Sequence, residues 1–113
     1  MENNFHGAGF FLIDPATNLI LALTNSKGLY DFPKGVKETG EIPLETATRE
    51  CFEECSILIE KEELMDCGPF REGGLIMFCA ETIKKPAIFP NERTGILEHT
   101  SYKWLKPEEF EKN

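Results

Sequence analysis

Glu50, Glu53 and Glu54 are the residues whose types and spacing most plainly point to chemistry. Spacings of three and four place their carboxylates on neighbouring positions of one helical face. Clustered carboxylates repel one another unless a cation offsets them, and an all-oxygen set suits a hard divalent ion such as Mg²⁺ or Mn²⁺. Alone, such a group reads as a solvated acidic face, with Arg49 as a surface ion-pair partner. Its setting changes that reading. Ahead of it runs Pro33-Lys34-Gly35-Val36-Lys37-Glu38-Thr39-Gly40-Glu41. A glycine-bounded loop feeding a helix start lets backbone groups approach phosphate oxygens. Lys34 and Lys37 add positive charge beside it. A metal cluster next to such a loop suits attack on a pyrophosphate, because the metal activates water and neutralises charge building on the phosphate.

These acids need a helix to hold them. Pro43 to Cys55 is the clearest one: Pro43 suits a first helical position and Glu45 sits favourably in the first turn. Leu44, Ala47, Cys51 and Cys55 recur at helical spacing as an apolar stripe. Gly7 to Ile13 reads as a buried strand ending at the Asp14-Pro15 turn signal. Asn18 to Thr24 would pair with it as a hairpin, with Leu19, Leu21 and Leu23 on one side. Leu29 to Phe32 is a short extended piece stopped by Pro33. Glu60 to Leu64 is a turn or short helix, and Gly74 to Ile83 an apolar central strand. Pro86 to Thr94 is a loop, Gly95 to Leu105 contains a further strand, and Pro107 to Lys112 is a last turn or two of helix. Mixed strands and helices in this order predict an α+β fold or a layered α/β/α arrangement.

The chain has 113 residues, which fits one domain spanning residues 1–113. It is 41% hydrophobic, enough for a core. No apolar run approaches the ~20 residues needed to span a bilayer. Met1-Glu2-Asn3-Asn4 lacks a basic region followed by an apolar stretch, so no signal peptide is read and a cytoplasmic location is expected. The net charge is −8, without the basic face of a nonspecific nucleic-acid binder, so DNA is not expected as a partner. Acidity does not exclude a phosphate substrate, since bound cations reverse the local field. Cys51, Cys55, Cys67 and Cys79 contain no C-x-x-C pair. They are expected to be reduced thiols acting as small core residues, with no zinc.

The segment Gly35 to Ile57 resembles the Nudix signature, G-x5-E-x7-R-E-U-x-E-E-x-G-U, where U is a bulky aliphatic residue. It reads Gly35, five residues, Glu41, seven residues, then Arg49-Glu50-Cys51-Phe52-Glu53-Glu54-Cys55-Ser56-Ile57. Cys51 stands in for an aliphatic residue and Ser56 replaces the last glycine. The resemblance implies a Nudix-type α/β/α sandwich with a mixed central sheet, at minimal length. It implies Glu50, Glu53 and Glu54 as metal ligands for Mg²⁺ or Mn²⁺, one of them also serving as base, with the Gly35 carbonyl as a further ligand. It implies Arg49 as the orienting partner of a nearby glutamate and Glu41 as a stabiliser of the loop–helix junction. Ser56 lacks glycine's freedom to form a left-handed cap, so it must carry strain of order 1 kcal/mol or end the helix differently.

The likeness extends past the signature to the diadenosine tetraphosphate hydrolases. Tyr30-Asp31-Phe32-Pro33-Lys34-Gly35 resembles their P-K-G lead-in. Leu44-Glu45-Thr46-Ala47-Thr48-Arg49-Glu50 resembles their L-E-T-A-x-R-E, and Glu98-His99-Thr100-Ser101-Tyr102-Lys103-Trp104-Leu105 their E-H-x-x-Y-x-W-L. On that mapping Glu98 is a further metal ligand or general base, His99 lies near phosphate or makes a structural hydrogen bond, and Trp104 belongs to the core. Lys34 and Lys37 are the phosphate-binding candidates. Tyr30, Phe70 and Phe89 are candidates to stack on a base. The expected substrate is a small nucleotide, foremost a dinucleoside polyphosphate such as diadenosine tetraphosphate. The P-K-G lead-in is shared with mRNA-decapping and diphosphoinositol polyphosphate hydrolases, so capped or triphosphate RNA ends and diphosphoinositol phosphates are the alternatives, with nucleotide sanitation beside them. A catalytically dead nucleotide-binding module is disfavoured, because the three helix acids are retained. Monomer and homodimer both stay open.

Overall fold

The computed structural model describes residues 4–90, 95 and 99–110. Its strands are β1 (Gly7–Ile13), β2 (Ile20–Asn25), β3 (Tyr30–Asp31), β4 (Lys34–Val36), β5 (Phe70–Glu72), β6 (Leu75–Glu81) and β7 (His99–Leu105). Its helices are α1 (Pro43–Cys55), a 3₁₀ turn at Lys61–Glu63, and α2 (Pro107–Phe110). The strands form one mixed sheet in the order β3-β2-β1-β6-β5, with β4 added to β1 and β7 added to β2. β1 and β6 run parallel in register from Gly7 opposite Leu75 to Ile13 opposite Glu81. A parallel pair needs a long crossover, and here that crossover carries α1.

Strand alternation sorts β1 onto two faces. Ala8, Phe10 and Leu12 are fully buried and pack with Leu21, Leu23, Ala47, Cys51, Cys55 and Ile57 in one core under α1. Truncating a leucine from such a core costs about 2–5 kcal/mol. Phe11 points to the other face, where it meets Phe32 edge-on at 4.8 Å between ring centres. Phe32 in turn meets Phe110 of α2 at 4.8 Å. The fold is therefore the expected α+β arrangement of a helix, a mixed sheet and a second, very short helical layer.

The hairpin, the central strand β6, α1 and the final helical turn fall where the sequence places them. Two strands were not foreseen. β4 occupies part of what reads as a phosphate-approach loop, and it forms because Lys34, Gly35 and Val36 pair with Gly9, Ala8 and Gly7. β5 forms against β6 across the Gly73–Gly74 turn. The expectation of four core thiols needs one correction. Cys51, Cys55 and Cys79 are buried and all four cysteines are free, but Cys67 is exposed, in the segment between the 3₁₀ turn and β5. Among the described residues, no helix is long and apolar enough to cross a membrane.

Candidate active site

The site is built where β4 passes under the start and middle of α1. Ile42 adopts extended backbone just before the helix, and Pro43 opens it. Glu45 Oε1 accepts the Ile42 N–H at 3.0 Å, satisfying one group the helix start leaves open. Pro43, Thr46, Ala47, Cys51 and Cys55 face the core and fix the helix rotation. That rotation turns the acids toward β4. β4 can approach so closely because two positions lack a side chain. A Cβ at Gly9 would collide with the Pro33 carbonyl and Lys34, and a Cβ at Gly35 would collide with the Glu50 carboxylate. The first glycine of the signature thus lets the Glu50 carboxylate lie against the β4 backbone, and a side chain there would make that carboxylate shift.

Arg49 joins the loop to the helix. Its Nε donates to Glu41 Oε2 at 2.8 Å, and its Nη2 donates to the Val36 carbonyl at 2.8 Å and to Glu41 Oε1 at 3.1 Å. Its Nη1 donates to Glu50 Oε2 and Glu53 Oε1, both at 3.1 Å, and lies 3.7 Å from Glu38 Oε2. Glu41 Oε1 also accepts the Glu38 N–H at 2.8 Å and the Thr46 hydroxyl at 2.7 Å. The Arg49 hydrogen bonds foremost, with the Glu38 and Thr46 donors, hold the Glu41 carboxyl down at about 2, against a partial opposing effect of burial. The same Glu41 bonds push Arg49 still higher than an ordinary arginine. Glu54 is held separately: its Oε1 accepts the Lys34 N–H at 3.0 Å.

Glu50 and Glu54 meet β4, Glu50 against Gly35 and Glu54 at the Lys34 N–H, while Glu53 joins them only through Arg49. Among the described residues, no three His, Cys, Asp or Glu side chains are arranged to hold a metal ion. Glu50 and Glu53 are directed to Arg49, and Glu54 to the Lys34 N–H. The donor chemistry nonetheless fits a hard divalent cation: the side chains beside Gly35 are carboxylates, and one guanidinium shared among Glu38, Glu41, Glu50 and Glu53 cannot neutralise them all.

The other candidates fall in three places. Lys34 Nζ pairs with Asp31 Oδ2 at 3.3 Å, and Lys37 Nζ lies over the Phe5 ring at 4.9 Å from its centre. Tyr30 and Phe70 stand at the two ends of one chain of rings on the face opposite α1. Phe70 is 6.1 Å from Phe11, which reaches Phe110 through Phe32, and Phe110 is 6.0 Å from Tyr30. Phe70 and Phe89 are exposed. His99 is buried at the start of β7, and Trp104 packs against the core. Glu98 lies outside the described residues.

Sequence reasoning did not single out Asp31, although it sits three residues before Lys34. Nor did it find a groove of about 530 Å³ along the outer side of α1, lined by Ile42, Leu44, Phe52 and Leu58 and bordered by Arg49 and Glu53. Ser56 ends α1 in the left-handed region, at φ 63° and ψ 18°, with its N–H bonded to the Phe52 carbonyl at 2.9 Å. The left-handed cap forms in spite of the missing glycine.

Comparison with solved structures shows the same fold. A C. elegans Ap4A hydrolase shares 24% identity over 94% of this chain and 82% of its own, at a TM-score of 0.64. An E. coli dihydroneopterin triphosphate pyrophosphohydrolase shares 20% identity over 89% of this chain and 82% of its own, at 0.65. A MutT protein from Methanosarcina mazei Go1 shares 19% identity over 96% of this chain and 82% of its own, at 0.64. No curated relative matches the sequence. The family model for the NUDIX domain matches residues 4–113. Signature, fold and family model coincide over nearly the whole chain, which belongs to the Nudix hydrolases.

Proposed function

We propose that this Nudix hydrolase uses Mg²⁺ or Mn²⁺ to cleave a phosphoanhydride bond in a dinucleoside polyphosphate such as diadenosine tetraphosphate. The observation that supports the reading is the meeting of Glu50 and Glu54 with the Lys34–Gly35 strand, with Glu53 tied to Glu50 through Arg49. A divalent cation held by Glu50, Glu53 and Glu54, with the Gly35 carbonyl and Glu98 as further ligands, would neutralise phosphate charge and make bound water a stronger nucleophile. Arg49 keeps Glu50 and Glu53 turned to one side of the helix and ties them to the loop. Lys34 and Lys37 bind phosphate oxygens. One helix acid or Glu98 takes the proton from water, which requires hydrogen-bond reach directly or through one other water. Tyr30 and Phe70 lie on one continuous aromatic face, which suits stacking on a base.

The substrate class rests on two supports. The L-E-T-A-x-R-E and E-H-x-x-Y-x-W-L likenesses belong to diadenosine tetraphosphate hydrolases, and one structural neighbour is an Ap4A hydrolase. The net charge of −8 weighs against a long RNA substrate, whose phosphates favour a basic surface. The test is a hydrolysis panel with Mg²⁺ and Mn²⁺ on dinucleoside polyphosphates, capped RNA, nucleoside triphosphates and diphosphoinositol phosphates, with products identified. Highest kcat/KM on a dinucleoside polyphosphate is the expected result. Highest kcat/KM on capped RNA would move the enzyme to the decapping class.

A further inference from the structure

Asp31 and Lys34 bracket the approach to the acidic helix. Lys34 Nζ lies 3.3 Å from Asp31 Oδ2, and the two side chains are 34% and 36% exposed, open to a solute. The second carboxylate oxygen, Asp31 Oδ1, accepts the Phe32 N–H at 2.8 Å. The Asp31 backbone is paired in β3, opposite Leu23 of β2. The carboxylate is thus tied on its own side and is not free to follow a lysine that moves. Lys34 is equally confined at its backbone, opposite Gly9 and bonded to Glu54.

A phosphate that binds the Lys34 ammonium where it stands, 3.3 Å from Asp31 Oδ2, therefore approaches Asp31 as well. Repulsion from a fixed negative charge scales with the charge of the ligand. A terminal phosphate carries about −1.5 to −2 near neutral pH. A phosphate bridged on both sides has lost that second ionisation and carries a single charge. We propose that Asp31 is a specificity-determining residue, biasing the Lys34 position against terminal phosphates and toward the internal phosphates of a chain capped at both ends. It acts as a repulsive element against the wrong ligand, which is how sites often gain discrimination without gaining affinity. The proposal rests on the reading of Lys34 as a phosphate-binding residue.

Asp31→Asn isolates the effect, because the amide oxygen still accepts the Phe32 N–H while the charge is lost. Asp31→Ser, whose hydroxyl also accepts an N–H, is the second variant. Equilibrium affinities are measured by calorimetry in Mg²⁺ for methylene-bridged, non-hydrolysable analogues of ATP and of diadenosine tetraphosphate. Removing one unit charge about 6 Å from a solvated phosphate tightens binding roughly threefold per unit of ligand charge. Asp31→Asn should therefore tighten the ATP analogue about two- to threefold more than the diadenosine analogue, and this difference should vanish in a Lys34→Met background. Equal tightening of both ligands, or weakening of both, would overturn the proposal. Unchanged affinity of Lys34→Met for both ligands would overturn it by another route, removing the role of Lys34. The hydrolysis panel, which reads turnover and not affinity, tests the substrate class independently.

Discussion

Two clusters in this chain are built alike, each with one cation among several carboxylates, and they differ in balance. Lys84 Nζ bonds Glu63 Oε1 at 2.8 Å, Glu60 Oε2 at 3.0 Å and the Leu58 carbonyl at 2.7 Å. The Thr82 hydroxyl donates to Glu63 Oε2 at 2.7 Å. Burial pushes the Glu63 carboxyl up, but its bonds to Lys84, the Glu60 N–H and Thr82 outweigh that and hold it low. This cluster ties the segment after α1 to the end of β6. Around Arg49 the excess is larger, with Glu38, Glu41, Glu50 and Glu53 sharing one guanidinium against only Glu60 and Glu63 on Lys84, and Glu54 adds another acid beside Lys34. A tether needs balance, and the Lys84 cluster is close to it. Surplus acid at a part-buried site does not favour folding, which is the ground on which we propose the Arg49 cluster, and not the Lys84 one, as the cation site.

The sharpest way to break this contrast is to remove one surplus acid. Glu53→Gln and Glu54→Gln should each lower kcat by roughly a hundredfold or more while the fold survives, as expected for a metal ligand. Near wild-type turnover in both, with an unchanged melting curve, would make the Arg49 cluster as structural as the Lys84 one.

Glu41 is the member of the Arg49 cluster with a structural task. Its carboxyl titrates at about 2, against 4.5 for an ordinary glutamate, so its stabilising effect is complete above about pH 4.5 and fades as pH falls toward 2. Glu41→Gln should therefore be less stable than wild type at pH 7, with the gap narrowing between pH 4.5 and 3. Urea melts across that range measure it, and a gap independent of pH would contradict the assignment.

Ser56 lies between the two clusters, where α1 ends and the chain turns toward Leu58. Ser56→Gly should stabilise the protein by about 1 kcal/mol, because glycine adopts this left-handed cap without Cβ strain. A neutral or destabilising result would mean that the serine's own contacts offset its strain. Smallest of all, Lys84→Met should leave kcat within about twofold, since it touches none of the proposed machinery. It should lower the melting temperature slightly. A large loss of turnover would tie the Lys84 cluster to the site.

How much of this could be read beforehand depends on range. The hairpin, α1 and β6 are written in local periodicity, and the clustering of Glu50, Glu53 and Glu54 follows from helical spacing alone. β4 and β5 were missed because each has three residues and exists only through pairing with a distant strand. Arg49 and Glu41 could be given their roles through family resemblance, but the Val36 carbonyl and Thr46 hydroxyl bonds depend on how the loop folds onto the helix. The exposure of Cys67 depends on the path of the chain toward β5, which composition does not encode. Asp31 is close to Lys34 in sequence, yet its importance appears only once β3 fixes its backbone.

The central claim is that the surplus acids of α1 serve cation-dependent hydrolysis. It is tested most directly by stripping the enzyme of metal, then following diadenosine tetraphosphate cleavage during titration with Mg²⁺ or Mn²⁺. The account predicts no turnover in excess EDTA, saturable recovery with either ion, and little recovery in Glu54→Gln. Full turnover by the metal-free enzyme in EDTA would contradict it.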